Sequence, residues 1–212
     1  MFIIALKCNT YLSLFANKFF FFKLFNDIII LLCGDFMKIY LVAGKSGSGK
    51  GEVAKIIKEY YASLGKKAII TSFSKYLKMY AQEIISWDGK EPKPRKFLQD
   101  LGVTIRENMD MPLCFVNRMI EDIKVYNLYF DIVIIDDVRL PIEIEELKNT
   151  FENVYSMYVV NQFAPSNLTI EEQMHETETA LENYSDFDIM IVNDNLEKLD
   201  DRVINFIEGE EQ

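Results

Sequence analysis

The chain has 212 residues, half of them hydrophobic and about a quarter charged, which suits one α/β domain with a sizeable core and argues against a disordered or fibrous protein. Its 33 acidic against 23 basic residues give a formal net charge of −10, so a broad footprint for nucleic acid or anionic lipid is disfavoured and any phosphate site must be local. Three cysteines and one histidine form no CxxC pair and no HExxH, which speaks against structural zinc, zinc hydrolysis and a disulfide scaffold and fits a reducing, cytoplasmic compartment.

Residues 1–36 differ in composition from the rest, holding eight of the sixteen phenylalanines and two of the three cysteines. Lys7, Lys18, Lys23 and Asp27 cut the stretch into apolar pieces shorter than the roughly 20 residues that span a bilayer, so no stable membrane insertion is expected. A signal peptide fits poorly, because no small-x-small site follows the run from Tyr11 to Ala16. The expectation is an apolar extension, 1–36, outside the native protein or a peripheral arm, ahead of a working domain over 37–212. Without its three lysines and two aspartates the net charge becomes −11.

From Met37 onward, strand-length apolar runs (Ile39–Ala43, Ala68–Thr71, Ile132–Ile135, Val154–Val160 and Ile189–Val192) alternate with helical patterns. This predicts a parallel sheet of about five strands wrapped by helices. The first run leads into Gly44-Lys45-Ser46-Gly47-Ser48-Gly49-Lys50-Gly51, and the next segment places Val53, Ile56, Ile57, Tyr60, Tyr61 and Leu64 on one helix face with Gly65 as C-cap. Strand, glycine-rich loop and amphipathic helix together make a Walker A loop. Glycines let backbone N–H groups turn inward around a phosphate, the helix N-terminus adds its dipole, and Lys50 supplies a point charge for the β- and γ-phosphates. Gly51 stands where Ser or Thr normally offers Mg²⁺ a hydroxyl, so the metal must be held elsewhere.

Between Lys75 and Asn127 only helical pattern occurs, broken at Asp88-Gly89 and at Pro92 and Pro94. The sequence therefore predicts a helical insertion, able to wall a cleft. Pro94 can begin a helix on which Arg95, Gln99, Gly102 and Arg106 form one stripe beside an apolar face of Leu98, Leu101 and Ile105. Two guanidiniums, an amide and a bare glycine backbone on one stripe suit a second phosphate, although an ordinary solvated basic face has the same pattern.

The third run ends in Asp136-Asp137, and ligands of open α/β sheets lie outside the carboxyl ends of the strands. Either carboxylate could hold Mg²⁺ directly or through water, and Arg139 could meet a phosphate. The same residues would also suit a strand-end turn closed by an Asp–Arg pair. The lone His175, in His175-Glu176-Thr177-Glu178, reads as a capping or hydrogen-bonded residue rather than a metal ligand.

Taken in order, Gly44–Lys50, Ser72-Phe73 through Leu77-Lys78, Arg95…Leu98-Gln99…Gly102…Arg106, Asp137-Val138-Arg139 and His175-x-Thr177-Glu178…Asp186-Phe187-Asp188…Asn193 resemble the P-loop deoxynucleoside monophosphate kinases. These belong to the nucleoside monophosphate kinase group and are related to animal-type phosphomevalonate kinases. The resemblance runs from Met37 to the C-terminus. It implies a P-loop NTPase fold with a helical acceptor-binding insertion and a Mg²⁺-dependent transfer of the γ-phosphoryl of ATP to a (deoxy)nucleoside monophosphate.

In that reading Lys50, Asp137 and Arg139 are catalytic and the loop from Gly44 to Gly51 holds the phosphates. Asn193 lies near the adenine. Arg95, Gln99 and Arg106 bind the small phosphorylated acceptor, and Asp136 and Asp137 hold the metal. A kinase of another phosphorylated metabolite such as phosphomevalonate, or a non-catalytic nucleotide-binding switch, has the same motifs. Two positions depart from the pattern: Gly51 replaces the family's Asp after the loop lysine, and Val160 is followed by Asn161 where a lid arginine is usual. Lys148 is the only lysine or arginine between Pro141 and Glu197, so the lid contributes no positive charge.

Overall fold

The structure, a computed structural model, describes residues 37–161 and 168–210. The expectations for the apolar extension, 1–36, fall outside these residues. In chain order the elements are β1 (Lys38–Ala43), α1 (Lys50–Ser63), β2 (Ala68–Thr71), α2 (Lys75–Ile85), α3 (Arg95–Val103), a π-helical turn (Thr104–Asn108), α4 (Cys114–Tyr126), β3 (Ile132–Val138), α5 (Pro141–Thr150), β4 (Val154–Val160), the short α6 (Ile170–Gln173) and α7 (Glu176–Thr179), β5 (Ile189–Val192) and α8 (Leu196–Gly209).

All five strands are parallel, in the order β2-β3-β1-β4-β5. A parallel sheet needs cover on both faces, and alternation along β1 provides for it. Ile39, Leu41 and Ala43 enter the core shared with α4 and α5, and Tyr40 and Val42 enter the core shared with α1 and α8. The spacing read for α1 holds: Val53, Ile57 and Tyr61 are fully buried, and Gly65 follows the helix at φ +75°. Every β-run begins or ends within two or three residues of its expected place. This strand order, with a glycine-rich loop joining the central strand to α1, is the P-loop NTPase arrangement.

Two expectations are corrected. β3 does not stop at Ile135 but runs on to Val138, so Asp136 and Asp137 belong to the strand and not to a turn beyond it. The pairing with β1 shifts register between Leu41↔Ile135 and Ala43↔Val138, so the two carboxylates sit at a bulge in the strand. In the insertion the α-helix ends at Val103, and Arg106 sits on the π-helical turn that continues it. Such turns insert a residue and re-aim the side chains that follow.

Among the described residues no helix is long and apolar enough to cross a membrane.

Candidate active site

The loop after β1 is shaped by what its glycines touch. Gly44 has φ +141° and Gly49 φ +99°, regions that side chains rarely adopt. A Cβ on Gly44 would lie 2.5 Å from the Val159 carbonyl oxygen, and one on Gly49 would lie 2.1 Å from Asn193 Nδ2. The ends of β4 and β5 thus press directly on the loop. Asn193 Nδ2 donates to the Ser48 carbonyl at 2.9 Å, and its backbone N–H donates to the Val160 carbonyl at 2.7 Å. The side chain expected near the adenine is therefore a buried brace beneath the loop.

Lys50 opens α1 and is 9% exposed. Its Nζ donates to the carbonyls of Gly44 and Lys45 at 2.8 Å each, curling back across the loop mouth. Burial, with the Arg139 charge nearby, lowers its pKa to about 7. Ser48 Oγ is buried beside it with no hydrogen-bond partner among the described residues. A buried hydroxyl without a partner is costly. Gly51 is exposed, with open space where a Cβ would go.

The insertion meets β3 across a cavity of about 160 Å³. Arg95, Gln99, Gly102 and Arg106 from α3 and the π turn all line it, as do Asp137 and Arg139. The helical stripe and the strand end, 31 or more residues apart in sequence, thus face one space. Leu98 and Ile105 are buried as expected, but Leu98 also reaches the cavity, alongside Phe73, Leu77 and Phe115. Gly102 serves a neighbour: a Cβ there would stand 3.2 Å from Arg106 Nη1. The bare backbone at Gly102 lines the cavity and also makes room for the Arg106 guanidinium.

The two β3 carboxylates differ sharply. Asp137 accepts from the backbone N–H groups of Phe73 and Ser74 at 2.7 and 2.9 Å, which ties the β2–α2 connection to β3. Asp136 has its pKa raised by burial and by the Asp137 charge. Among the described residues no three His, Cys, Asp or Glu side chains cluster as a metal cage. The pair fits Mg²⁺ only in the manner usual for that ion, through one or two carboxylates plus phosphate oxygens and water.

Three residues complete the site: Lys93 and Glu143, which the sequence reading missed, and Glu178, which it named without a role. Lys93, between two prolines, lines the cavity, and burial with the Lys78 and Arg95 charges lowers its pKa. Glu143 opens α5, accepts from the Arg139 and Leu140 N–H groups at 2.7 and 3.0 Å, and is pushed up to about 7 chiefly by burial. Its signal was local, a carboxylate three residues after Leu140 with Pro141 between, as in a capping box. Glu178, on α7, accepts from Ser46 N at 2.9 Å and from Arg139 Nη1 at 2.8 Å. His175 caps α7 as expected, its Nδ1 accepting from Thr177 N at 3.2 Å.

No protein-family model matches the chain. A UPF0200 protein of Saccharolobus islandicus is 31% identical over 136 residues, a match covering 62% of this chain and 61% of that relative. The chain thus spans about three fifths of the curated relative's length. Among solved structures, TT1252 from Thermus thermophilus aligns over 82% of this chain and 98% of its own, with 18% identity and a TM-score of 0.49. The Mycobacterium tuberculosis APS kinase CysC, in complex with AMPPNP and APS, aligns over 84% and 99% with 12% identity and a TM-score of 0.46. A shikimate kinase from Bacteroides thetaiotaomicron aligns over 83% and 99% with 15% identity and a TM-score of 0.45. The strand order and the loop carry the fold assignment on their own.

Proposed function

We propose that residues 37–212 form an ATP-dependent phosphotransferase domain that moves the γ-phosphoryl group to a (deoxy)nucleoside monophosphate. One observation carries this reading: the P-loop and a second cationic cavity adjoin, with Arg139 lining the cavity and reaching toward the loop through Glu178, which Ser46 N also holds. Two neighbouring anion sites are what transfer between two phosphates requires.

The loop amides, Ser48 Oγ and Lys50 would hold the β- and γ-phosphates. Arg95, Arg106 and Lys93, with Gln99, would fix the acceptor phosphate so that its oxygen faces the γ-phosphorus in line. Arg139, aimed by the Glu143 contact to its backbone, would screen charge as the phosphoryl group moves. An acceptor phosphate is already ionised, so no strong general base is needed. Asp136 and Asp137 are the carboxylates that would hold Mg²⁺, which would supply neutralisation of the phosphate charge. Asp136 is the freer ligand for it, since Asp137 already serves two backbone amides. The apolar wall of Phe73, Leu77, Leu98 and Phe115 would take the body of the acceptor. The resemblance to the monophosphate kinases favours a nucleoside there.

The test is turnover of Mg·ATP against a panel of deoxy- and ribonucleoside monophosphates and other phosphorylated metabolites, with detection of the phosphorylated acceptor. Formation of a nucleoside diphosphate supports the proposal. Transfer only to a non-nucleotide acceptor moves the reading to another metabolite kinase. ATP binding without transfer to any acceptor moves it to a nucleotide-binding switch.

A further inference from the structure

The segment 168–184 brings acidic side chains to the same cations that would meet phosphates. Glu178 is the central one. Its carboxylate is only 9% exposed, with one oxygen on the Ser46 N–H of the P-loop and the other on the Arg139 guanidinium. Glu182 pairs with Lys45 of the same loop, and Glu176 pairs with Arg106 at 3.0 Å. Three carboxylates thus each take one site cation, and one of them also takes a loop amide.

The segment's own caps hold the carboxylates in place. Thr169 and Glu172 form a capping box on α6, and His175 caps α7. Charge-assisted bonds with little exposure are strong, whereas exposed pairs such as Glu171–Lys96, 82% and 71% exposed, contribute little.

We infer that Glu178 is a built-in anion that closes the phosphate site, and that a bound polyphosphate must displace it. This rests on the phosphate-binding reading of the loop, but not on transfer to an acceptor. A polyphosphate and the Glu178 carboxylate require the same Ser46 amide and bring like charge to it, so both cannot occupy the loop mouth together. Apparent affinity is then the intrinsic affinity reduced by the fraction of molecules whose site is open. Removing the charge while keeping the side chain's shape raises that fraction. A regulator that drew α7 away would act in the same direction.

The experiment is calorimetric titration of the full chain with inorganic tripolyphosphate, and separately with ATP, comparing wild type, Glu178→Gln and Glu171→Gln. The inference expects Glu178→Gln to bind tripolyphosphate about tenfold more tightly or better, with Glu171→Gln unchanged. If Glu178→Gln does not fold, Glu182→Gln should still tighten binding, by about twofold, because Lys45 is released. Equal or weaker binding by the folded Glu178→Gln, or a gain of the same size in Glu171→Gln, overturns the inference. Tighter tripolyphosphate binding with no acceptor turned over leaves the inference standing and defeats the phosphotransferase reading. Absence of binding in wild type and variants alike defeats both.

Discussion

The P-loop and the cavity beneath α3 both gather positive charge for an anion, and they do so by opposite means. The loop is eight contiguous residues whose work falls to backbone N–H groups, with two lysines, of which Lys50 has its charge suppressed by burial. The cavity is assembled from α3, the π turn, the end of β3 and the start of α5, and its charge comes from side chains. Where amides bind, shape is fixed before a ligand arrives. Where guanidiniums bind, the protein must supply partners for them meanwhile, and Glu176 and Glu178 do so. The contrast teaches that the loop holds its readiness as a backbone shape that glycines fix in advance, and the cavity holds it as replaceable ion pairs.

The largest expected effect lies in the loop. Lys50→Ala should weaken tripolyphosphate binding about 100-fold, the size of one strong charged hydrogen bond, while thermal stability stays level or rises because a buried amine is gone. A loss of both binding and stability would show that Lys50 is structural and would break the comparison. The same lysine gives a proton signature. Its pKa near 7 in the free protein lies below the ordinary lysine value, and an adjacent phosphate restores the charged form. Binding at pH 8 should therefore take up close to one proton, read from calorimetry in buffers of different ionisation enthalpy. At pH 6, below the free-protein value, the lysine uptake should vanish.

In the cavity, Arg95→Ala should raise the acceptor KM about 10- to 150-fold, with ATP affinity near that of wild type. Arg95 is the cleaner choice than Arg106, which also holds Glu176. Lysine should restore only part of the loss, since an ammonium lacks the two-pronged fork. Unchanged acceptor kinetics in both Arg95→Ala and Arg106→Ala would remove the acceptor role from the stripe.

A smaller effect sharpens the contrast through stability. Glu143 has a folded pKa of about 7, above its ordinary 4.5, so the folded state binds the extra proton and stability falls as pH rises from about 4.5 to 7. Glu143→Gln keeps an oxygen for the Arg139 and Leu140 amides and removes that penalty. Urea unfolding should show the variant more stable by on the order of 2 kcal/mol at pH 8, with no gain at pH 4. A gain at both pH values would mean that packing, not charge, sets the difference. Gly51→Ala should do least. Its Cβ meets nothing within 4 Å in the first turn of α1, so it should add about 0.5–1 kcal/mol of stability and leave phosphate binding intact.

Much of this architecture was legible before folding. The Gly44–Gly51 loop was readable because each requirement, from positive φ to the lysine, is local to one octapeptide. The strands were readable because a sheet buried on both faces imposes unbroken apolar runs. The convergence of Arg95, Gln99 and Arg106 was legible as a stripe, since helical periodicity extends over three turns. Its π turn at Thr104–Asn108 was not, because nothing in that sequence separates five-residue from four-residue hydrogen bonding.

The remainder is long-range. Asp137 is tied to Phe73 and Ser74 across 63 or more residues, Asn193 to Ser48 across 145, and Glu178 to Ser46 across 132. No periodicity or propensity encodes which distant amide a carboxylate will meet. By itself the sequence determined the parallel α/β sheet, the phosphate loop and which helix would carry the arginines, because hydrophobic period and backbone chirality act over a few residues. Only the tertiary structure decided that Asp136 and Asp137 sit at a bulge in β3, that Asn193 braces the loop, and that an acidic helix lies on the P-loop, because these depend on where sheet order brings remote segments together.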